Sequence, residues 1–486
     1  MKKFTKIVAT ISDRRCDVEF IRALYENGLN VVRMNSAHLN REGFEKIINN
    51  VRAVSPSIGL MIDTKGPEIR TTINIDDKPI EFRQGDKVAF TGNPAGQTTH
   101  DNICLSYPYI ANDVFPGSHF LIDDGELDFT IDSIDGECIS ATASNSGTLG
   151  SRKSVNIPGV QISLPSVTER DKSNILLAIE LGVDFIAHSF VRSEKDVQAV
   201  QEILDSHNSD IKIISKIENQ EGVDNFDSIL DASYGIMVAR GDLGIEVPAE
   251  KIPAIQTEFI QKCILKHKPV IVATQMLHSM IENPRPTRAE ISDIANAVNQ
   301  HTDALMLSGE TANGKYPIEA ISTMSRVAVE VENSLANQRP TPAFEPETTS
   351  FLARQAVAST VVLGTKTIFT DSYTGKTARY ISSYRAKYPT VALCYIPSTV
   401  RLLALSYGVT AIYKEGITST RRYLHQALKT MINDNDLTRA DLIAYLGSTL
   451  GEGHGITFLE INNVGDIMDN YNQYQLPNLE HPIKND

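Results

Sequence analysis

The chain has 486 residues, with 46 Lys plus Arg against 60 Asp plus Glu and a formal net charge of −14. Hydrophobic residues make up 41% and charged residues 22%, enough to fill a large core, so a disordered or collagen-like chain is excluded. The acidic balance excludes a general nucleic-acid binder and a partner membrane with an anionic surface, because both call for a basic face. A phosphorylated substrate stays possible if a few cations or a metal gather in one place.

At ~150 residues per domain, the length suggests about three domains. In chain order, short apolar runs at 5–11, 30–35, 59–64, 184–189, 211–216, 234–239, 269–274 and 303–307 predict strands. Several are continuous Val/Ile/Ala/Met runs, as in strands covered on both faces. Amphipathic stretches at 17–27, 41–54, 168–181, 194–204, 249–267, 288–300 and 317–333 predict helices between them. A doubly wound open sheet would give the same local pattern. The count of eight favours an α/β fold built on a (β/α)8 TIM barrel, assigned to residues 1–70 and 157–338.

One interval breaks the rhythm. Residues 71–156 lack a good amphipathic helix and are dense in turn signals such as Asp76-Asp77, Gly92-Asn93-Pro94 and Asp123-Asp124-Gly125. Short runs at 87–91, 119–122, 128–131 and 138–141 lie between them. They predict an inserted small β-barrel or sandwich in a loop after the third strand, over the site like a lid. A Pro-containing linker at 337–342 precedes a second α/β domain, residues 339–486, whose alternating segments run from 349 to 461. The last residues, 480–486, read as a loose tail.

Five scattered Cys, an odd count without C-x-x-C, read as reduced and buried, hence cytoplasmic. No signal peptide or membrane span is predicted.

In such barrels the chemistry lies at the C-terminal strand ends. Arg33 and Asn35 end the second run, and Asp63, Thr64, Lys65, Glu68 and Arg70 follow the third. His188 and Ser189 end the fourth. Lys216 and Glu218 end the fifth, Arg240, Gly241 and Asp242 the sixth, and Thr274 the seventh. Lys216 and Glu218, two apart on a strand, point to one side, as a site pair or as a salt bridge across a surface strand. Glu218 and Asp242 on adjacent strands suit Mg2+, or are solvated acids at helix starts. Cations with a divalent site are what a phosphoryl group needs. The usual nucleotide loops are absent: a P-loop ending at Gly375-Lys376-Thr377 would need a glycine where Thr370 stands. The stretch 370–377 reads as an anion cradle or as an ordinary helix cap.

The stretches DTKGPEIRT (63–71), ISKIENQEG (214–222), VARGDLGIEV (238–247), ATQM (273–276) with NPRPTRAE (283–290), and LSGETANGKYP (307–317) closely resemble pyruvate kinase. They run in the family's order over nearly the whole chain. The resemblance implies conversion of phosphoenolpyruvate and ADP to pyruvate and ATP, with Mg2+ (or Mn2+) and K+ as cofactors. It implies that Arg33 and Lys216 meet the transferring phosphoryl group and that Glu218 and Asp242 hold the divalent metal. Amides at Ala239, Gly241 and Asp242 would meet the substrate carboxylate, and Thr274 would sit near the carbon that is protonated. Asn35, Asp63 and Thr64 would bind potassium, and His38 and Arg70 would face nucleotide phosphates. Ser372, Thr374, Gly375, Lys376 and Thr377 would form a sugar-phosphate effector site, and the assembly would be a homotetramer.

The chain departs from the family pattern in places. Ser36-Ala37 stand where Phe-Ser is usual, removing a hydroxyl expected on potassium, whereas Glu68 is the residue type of potassium-dependent members. Ser12-Asp13 replace a Gly-Pro pair, and the loop 451–455 is only loosely like the family's effector loop. Two other readings compete: another metal-dependent barrel acting on phosphoenolpyruvate or a keto acid, and a non-catalytic metabolite sensor. The intact set Arg33, Lys216, Glu218, Asp242 and Thr274 argues against the sensor.

Overall fold

A computed structural model gives the fold and describes residues 3–37, 39–335, 346–415, 420–448 and 455–473. Eight parallel strands close into a barrel: Lys6–Thr10, Val31–Asn35, Gly59–Asp63, Phe185–His188, Lys212–Ile217, Gly235–Ala239, Val270–Ala273 and Ala304–Leu307. Lys6 opposite Ala304 closes the ring. Each lies within one residue, at either end, of its run in the sequence. Side chains alternate between an interior and a helix-covered exterior. In the first strand Val8 joins the interior with Val31, Met61, Phe185 and Met237, while Ile7 and Ala9 pack outward. Because both destinations are apolar, the sequence runs are unbroken.

The helices between them begin at capping residues. Asp17 accepts from Phe20 N at 2.9 Å ahead of Val18–Glu26. Thr168 and Asp171 form a capping box for Glu169–Glu180, and Thr287 and Glu290 form another for Arg288–Asn299. The stretch expected as one helix over 249–267 is a 3-10 turn, Ala249–Lys251, then Ile252–Leu265 with a proline in its first turn. Helices Gln220–Asp224, Phe226–Ala232 and Arg240–Glu246 follow the fifth and sixth strands, and at five to seven residues they are too short to leave a 3.6-residue pattern.

Between the third and fourth barrel strands lie eight short strands. Six form one sheet, and Gly147–Leu149 pairs with Ile80–Phe82 as a two-stranded ribbon. Sheet and ribbon share a core in which Phe82 meets Phe129 edge-on at 5.3 Å and Phe90 stacks on Phe120 at 4.5 Å. The expected small barrel thus takes the form of a sheet and a ribbon around one core.

The C-terminal sheet has the order Val409–Tyr413, Thr390–Cys394, Thr367–Ser372, Leu442–Gly447, Phe458–Asn463, with the last strand antiparallel. A helix, Val464–Gln473, follows where the sequence pattern suggested no further element. This sheet is tied to the N-terminal end of the barrel. Leu402 and Leu405 enter the barrel's interior cluster. Arg401 pairs with Asp184 at 2.6 Å, and Arg385 with Asp303 at 3.1 Å. The predicted linker at 337–342, the tail at 480–486 and most of the loop at 451–455 lie outside the described residues.

All five cysteines are free, and Cys16, Cys104, Cys263 and Cys394 are buried. Cys138 is exposed, which corrects the expectation that all are buried: it begins a lid strand and faces solvent there. Among the described residues no helix is long and apolar enough to cross a membrane.

Candidate active site

The charged side chains at the C-terminal strand ends converge. Arg33, in the middle of the second strand, reaches Asp63 at the end of the third; its Nε donates to Oδ1 at 2.7 Å and its Nη2 to Oδ2. Arg33 Nη1 also reaches Thr10 Oγ1 at 2.9 Å. Lys216 Nζ lies 3.3 Å from Asp63 Oδ2, 2.8 Å from Glu218 Oε1 and 2.9 Å from Ser189 Oγ. All four charged groups are nearly inaccessible, so each is expensive without its partners. Lys216 and Glu218 do share one side, and that side is the barrel mouth rather than an outer surface.

Burial would weaken the Lys216 ammonium, but the Glu218 and Asp63 carboxylates outweigh it and raise its pKa. Burial likewise opposes the Asp63 charge, and Arg33 with Lys216 outweighs it, holding that carboxyl below its ordinary value. Glu218 goes the other way. Burial and the Asp242 charge push its pKa up to about 7 against the pull of Lys216. A buried acid beside a second acid is short of positive charge. Glu218 Oε2 accepts from Phe190 N at 2.8 Å, whereas Oε1 is met only by the Lys216 ammonium at 2.8 Å. Two neighbouring carboxylates, one with a buried oxygen that only the Lys216 ammonium meets, fit a divalent cation.

Asn35 stands opposite Asp63 in the strand register. Thr64 O accepts from Ser189 Oγ at 2.7 Å, and Thr64 Oγ1 accepts from Ser189 N at 2.9 Å. Asn35 Oδ1 accepts from Ala37 N at 3.0 Å, and the buried Ser36 hydroxyl has no hydrogen-bond partner. The oxygens expected on potassium, Asn35 Oδ1, Thr64 O and the Asp63 carboxylate, are each engaged by a protein donor here. The loop after the third strand is held by a helix cap: Asp171 Oδ1 accepts from Lys65 N at 2.7 Å. Glu68 pairs with Arg70 at 2.5 Å, and Arg70 Nη1 donates to Arg152 O of the lid side at 2.7 Å.

The helix Arg240–Glu246 has no side-chain cap, and its Gly241 N donates to Thr274 Oγ1 at 2.7 Å. The Gly241 amide, expected on the substrate carboxylate, is therefore occupied by Thr274 here. Thr274 Oγ1 donates to Ala273 O at 2.6 Å. A cleft of about 520 Å³ runs from Asp123 and Lys153 of the lid to Arg70, Asp242 and Glu246 at the barrel rim. Asn156 Nδ2 donates to Glu246 Oε1 at 3.0 Å across that boundary. His38 lies outside the described residues.

In the C-terminal domain, Ser372 ends a strand with a buried hydroxyl lacking a partner. Thr374 Oγ1 accepts from Lys376 N at 3.4 Å, and Gly375 takes φ 79° to start the helix Lys376–Ser383. Thr377 sits half-buried in its first turn. Lys376 Nζ pairs with Glu347 at 2.7 Å.

Some members of the site were passed over in the sequence. Ser189 stands in the strand-end series without a role; the structure places its hydroxyl between Lys216 and Thr64. His188 is fully buried with Nδ1 3.2 Å from Thr64 Oγ1, and burial lowers its pKa to about 4, so it is neutral. Asp63 bridges Arg33 and Lys216, a role that only proximity reveals.

A parallel barrel with buried cations, a carboxylate pair and a cleft under an inserted sheet is the arrangement of an enzyme of phosphoryl transfer. The family signature "Pyruvate kinase, barrel domain" matches residues 2–321, and "Pyruvate kinase, alpha/beta domain" matches 350–457. A pyruvate kinase of Borreliella burgdorferi is 46% identical over 483 residues, covering 97% of this chain and 100% of that protein. One of Bacillus licheniformis is 42% identical, covering 96% and 81%. A crystal structure of a pyruvate kinase from Cryptosporidium parvum superposes with a TM-score of 0.88 at 37% identity, covering 95% of this chain and 96% of that one. The chain belongs to the pyruvate kinase family and is a phosphotransferase acting between phosphoenolpyruvate and ADP.

Proposed function

We propose that the cluster around Lys216 is where this pyruvate kinase performs the transfer. The observation that carries the reading is the shared buried counter-ion: Asp63 holds Arg33 and Lys216 side by side, two cations aimed into one mouth. A phosphoryl group entering there takes over the role of Asp63 for both. Arg33 orients its oxygens, and Lys216 stabilises the charge that moves with it. Glu218 and Asp242 would hold Mg2+ or Mn2+, which when bound supplies charge neutralisation for the phosphoryl and enolate oxygens. The backbone at Ala239 and Asp242 receives the substrate carboxylate. As the enolate collapses to pyruvate, Thr274 would place its hydroxyl near the carbon that gains the proton. Asn35, Asp63 and Thr64 would hold K+, and Arg70 with His38 would face the phosphates of ADP.

The lid of residues 71–156 would exclude water that could otherwise take the phosphoryl group. With the barrel at 1–70 and 157–338 and the C-terminal domain at 339–486, the chain would form cytoplasmic homotetramers, which small-angle scattering checks. The loop at Ser372, Thr374, Gly375, Lys376 and Thr377 would receive a sugar phosphate.

A lactate-dehydrogenase-coupled assay tests the whole reading. ADP-dependent pyruvate formation with Mg2+ and K+ is expected, and its absence overturns the reading.

A further inference from the structure

Thr274 and Gln275 adopt φ values of 71° and 55°. For a β-branched residue the left-handed region is strained, and such a conformation persists only where its surroundings over-determine it. The structure shows what does so. Arg240 Nη2 donates to Thr274 O at 2.8 Å, and its Nε meets Ala273 O at 3.4 Å. Behind it, Asp293 of the helix Arg288–Asn299 accepts from Nη1 and Nη2 at 2.7 Å each. Gln256 Oε1 lies 3.3 Å from Nη1; this glutamine is buried and held by Gln300 at 2.6 Å. Arg240 itself begins the helix whose next amide, Gly241 N, donates to Thr274 Oγ1.

We infer that Arg240 and Asp293 are positioning residues for proton transfer: together they hold the Thr274 backbone in its left-handed turn and so fix its hydroxyl beside Gly241 N, from where it would turn to the enolate carbon. Only a planar fork can face a carboxylate on one edge and the strand-end carbonyls on the other. Lysine, a point charge, cannot reproduce both. The inference rests on the role proposed above for Thr274.

Exchange of pyruvate methyl protons for deuterium isolates this step. A methyl C–H bond breaks to leave the enolate, its proton passes to the site, and a deuteron from solvent returns to the same carbon. With Mg2+, K+ and inorganic phosphate in D2O, followed by proton NMR, Arg240→Lys and Asp293→Asn are each expected to slow exchange by about 10- to 100-fold. Half-saturating Mg2+ and the KM for phosphoenolpyruvate should stay within about 3-fold, a split that general loss of structure would not produce. Exchange at the wild-type rate in Asp293→Asn, or equal losses in exchange and in Mg2+ binding, overturns the inference. Should Arg240→Lys fail to fold, Asp293→Asn decides alone, since Asp293 lies on another helix. Thr274→Val separates the two readings. If it keeps full exchange, the role of Thr274 fails. If it loses exchange while the Arg240 and Asp293 variants keep it, this inference alone fails.

Discussion

Lys216 Nζ lies 2.8 Å from Glu218 Oε1, and burial, which opposes the charge on both, is outweighed by neighbouring charges at the lysine but not at the glutamate. The lysine is held more firmly charged than in water, while the glutamate is pushed up to about 7. Lys216 has two acids, Glu218 and Asp63, within ion-pair distance, whereas Glu218 has one such cation and the Asp242 charge against it. Counted together, the carboxylates Asp63, Glu218 and Asp242 face the two cations Arg33 and Lys216, one positive charge short, which favours uptake of a metal ion.

Lys216→Met should lower kcat by about 10²- to 10³-fold, the scale for removing one preorganised charge from a transition state. The coupled assay reads it. Retention of full activity would remove Lys216 from its assigned role.

Potassium should raise the rate at fixed ionic strength, with a tetraalkylammonium salt as the replacement. The Asn35–Asp63 register pair and the Ser36 hydroxyl would supply oxygens although the Ala37 side chain has none. An activity indifferent to K+ sinks the site.

Stability should depend on pH through Lys6. This lysine is buried at the base of the first barrel strand, with Nζ donating to Val409 O at 2.7 Å. Burial lowers its pKa to about 8, against the pull of Glu332 and Asp303, and Lys3 stands nearby. Between pH 8 and ~10.4 the unfolded chain binds the proton that the folded one has lost, so this group's contribution to stability rises with pH, by up to about 3 kcal/mol. Below pH 8 both forms carry it and the cost of burying the charge is complete. In urea titrations at pH 7.5 and 9.5, wild type should gain on Lys6→Met as pH rises. A constant difference contradicts the assignment.

Ellman's reagent on the native protein at pH 8 should find one fast thiol. Cys138 is exposed, while burial raises Cys16 and Cys263 and pushes Cys394 up to about 12. Cys138→Ser should abolish the fast phase; a fast phase that survives points elsewhere.

Fructose bisphosphate and related sugar phosphates should raise the melting temperature if the Ser372–Thr377 loop takes an anion. Lys376 must then leave Glu347, so Glu347→Gln should tighten the response. No shift with any sugar phosphate removes the effector proposal.

The sequence by itself determined eight strands alternating with helices and the residue types at their ends, while closure into a barrel was settled by the pairing of the first strand with the last. Strands buried on both faces leave unbroken apolar runs, and polar residues after such runs have no place in a core. The short helix Arg240–Glu246 left no trace, because seven residues cannot show a helical period. Other relationships were decided only in three dimensions. Asp63 lies 30 residues from Arg33, Asp293 lies 53 from Arg240, and Leu402 closes a barrel whose first strand begins at Lys6. Pairings of that kind depend on which strand neighbours which and on the register between them. The energy of a buried charge is set by the partner across the sheet, which a one-dimensional pattern does not contain.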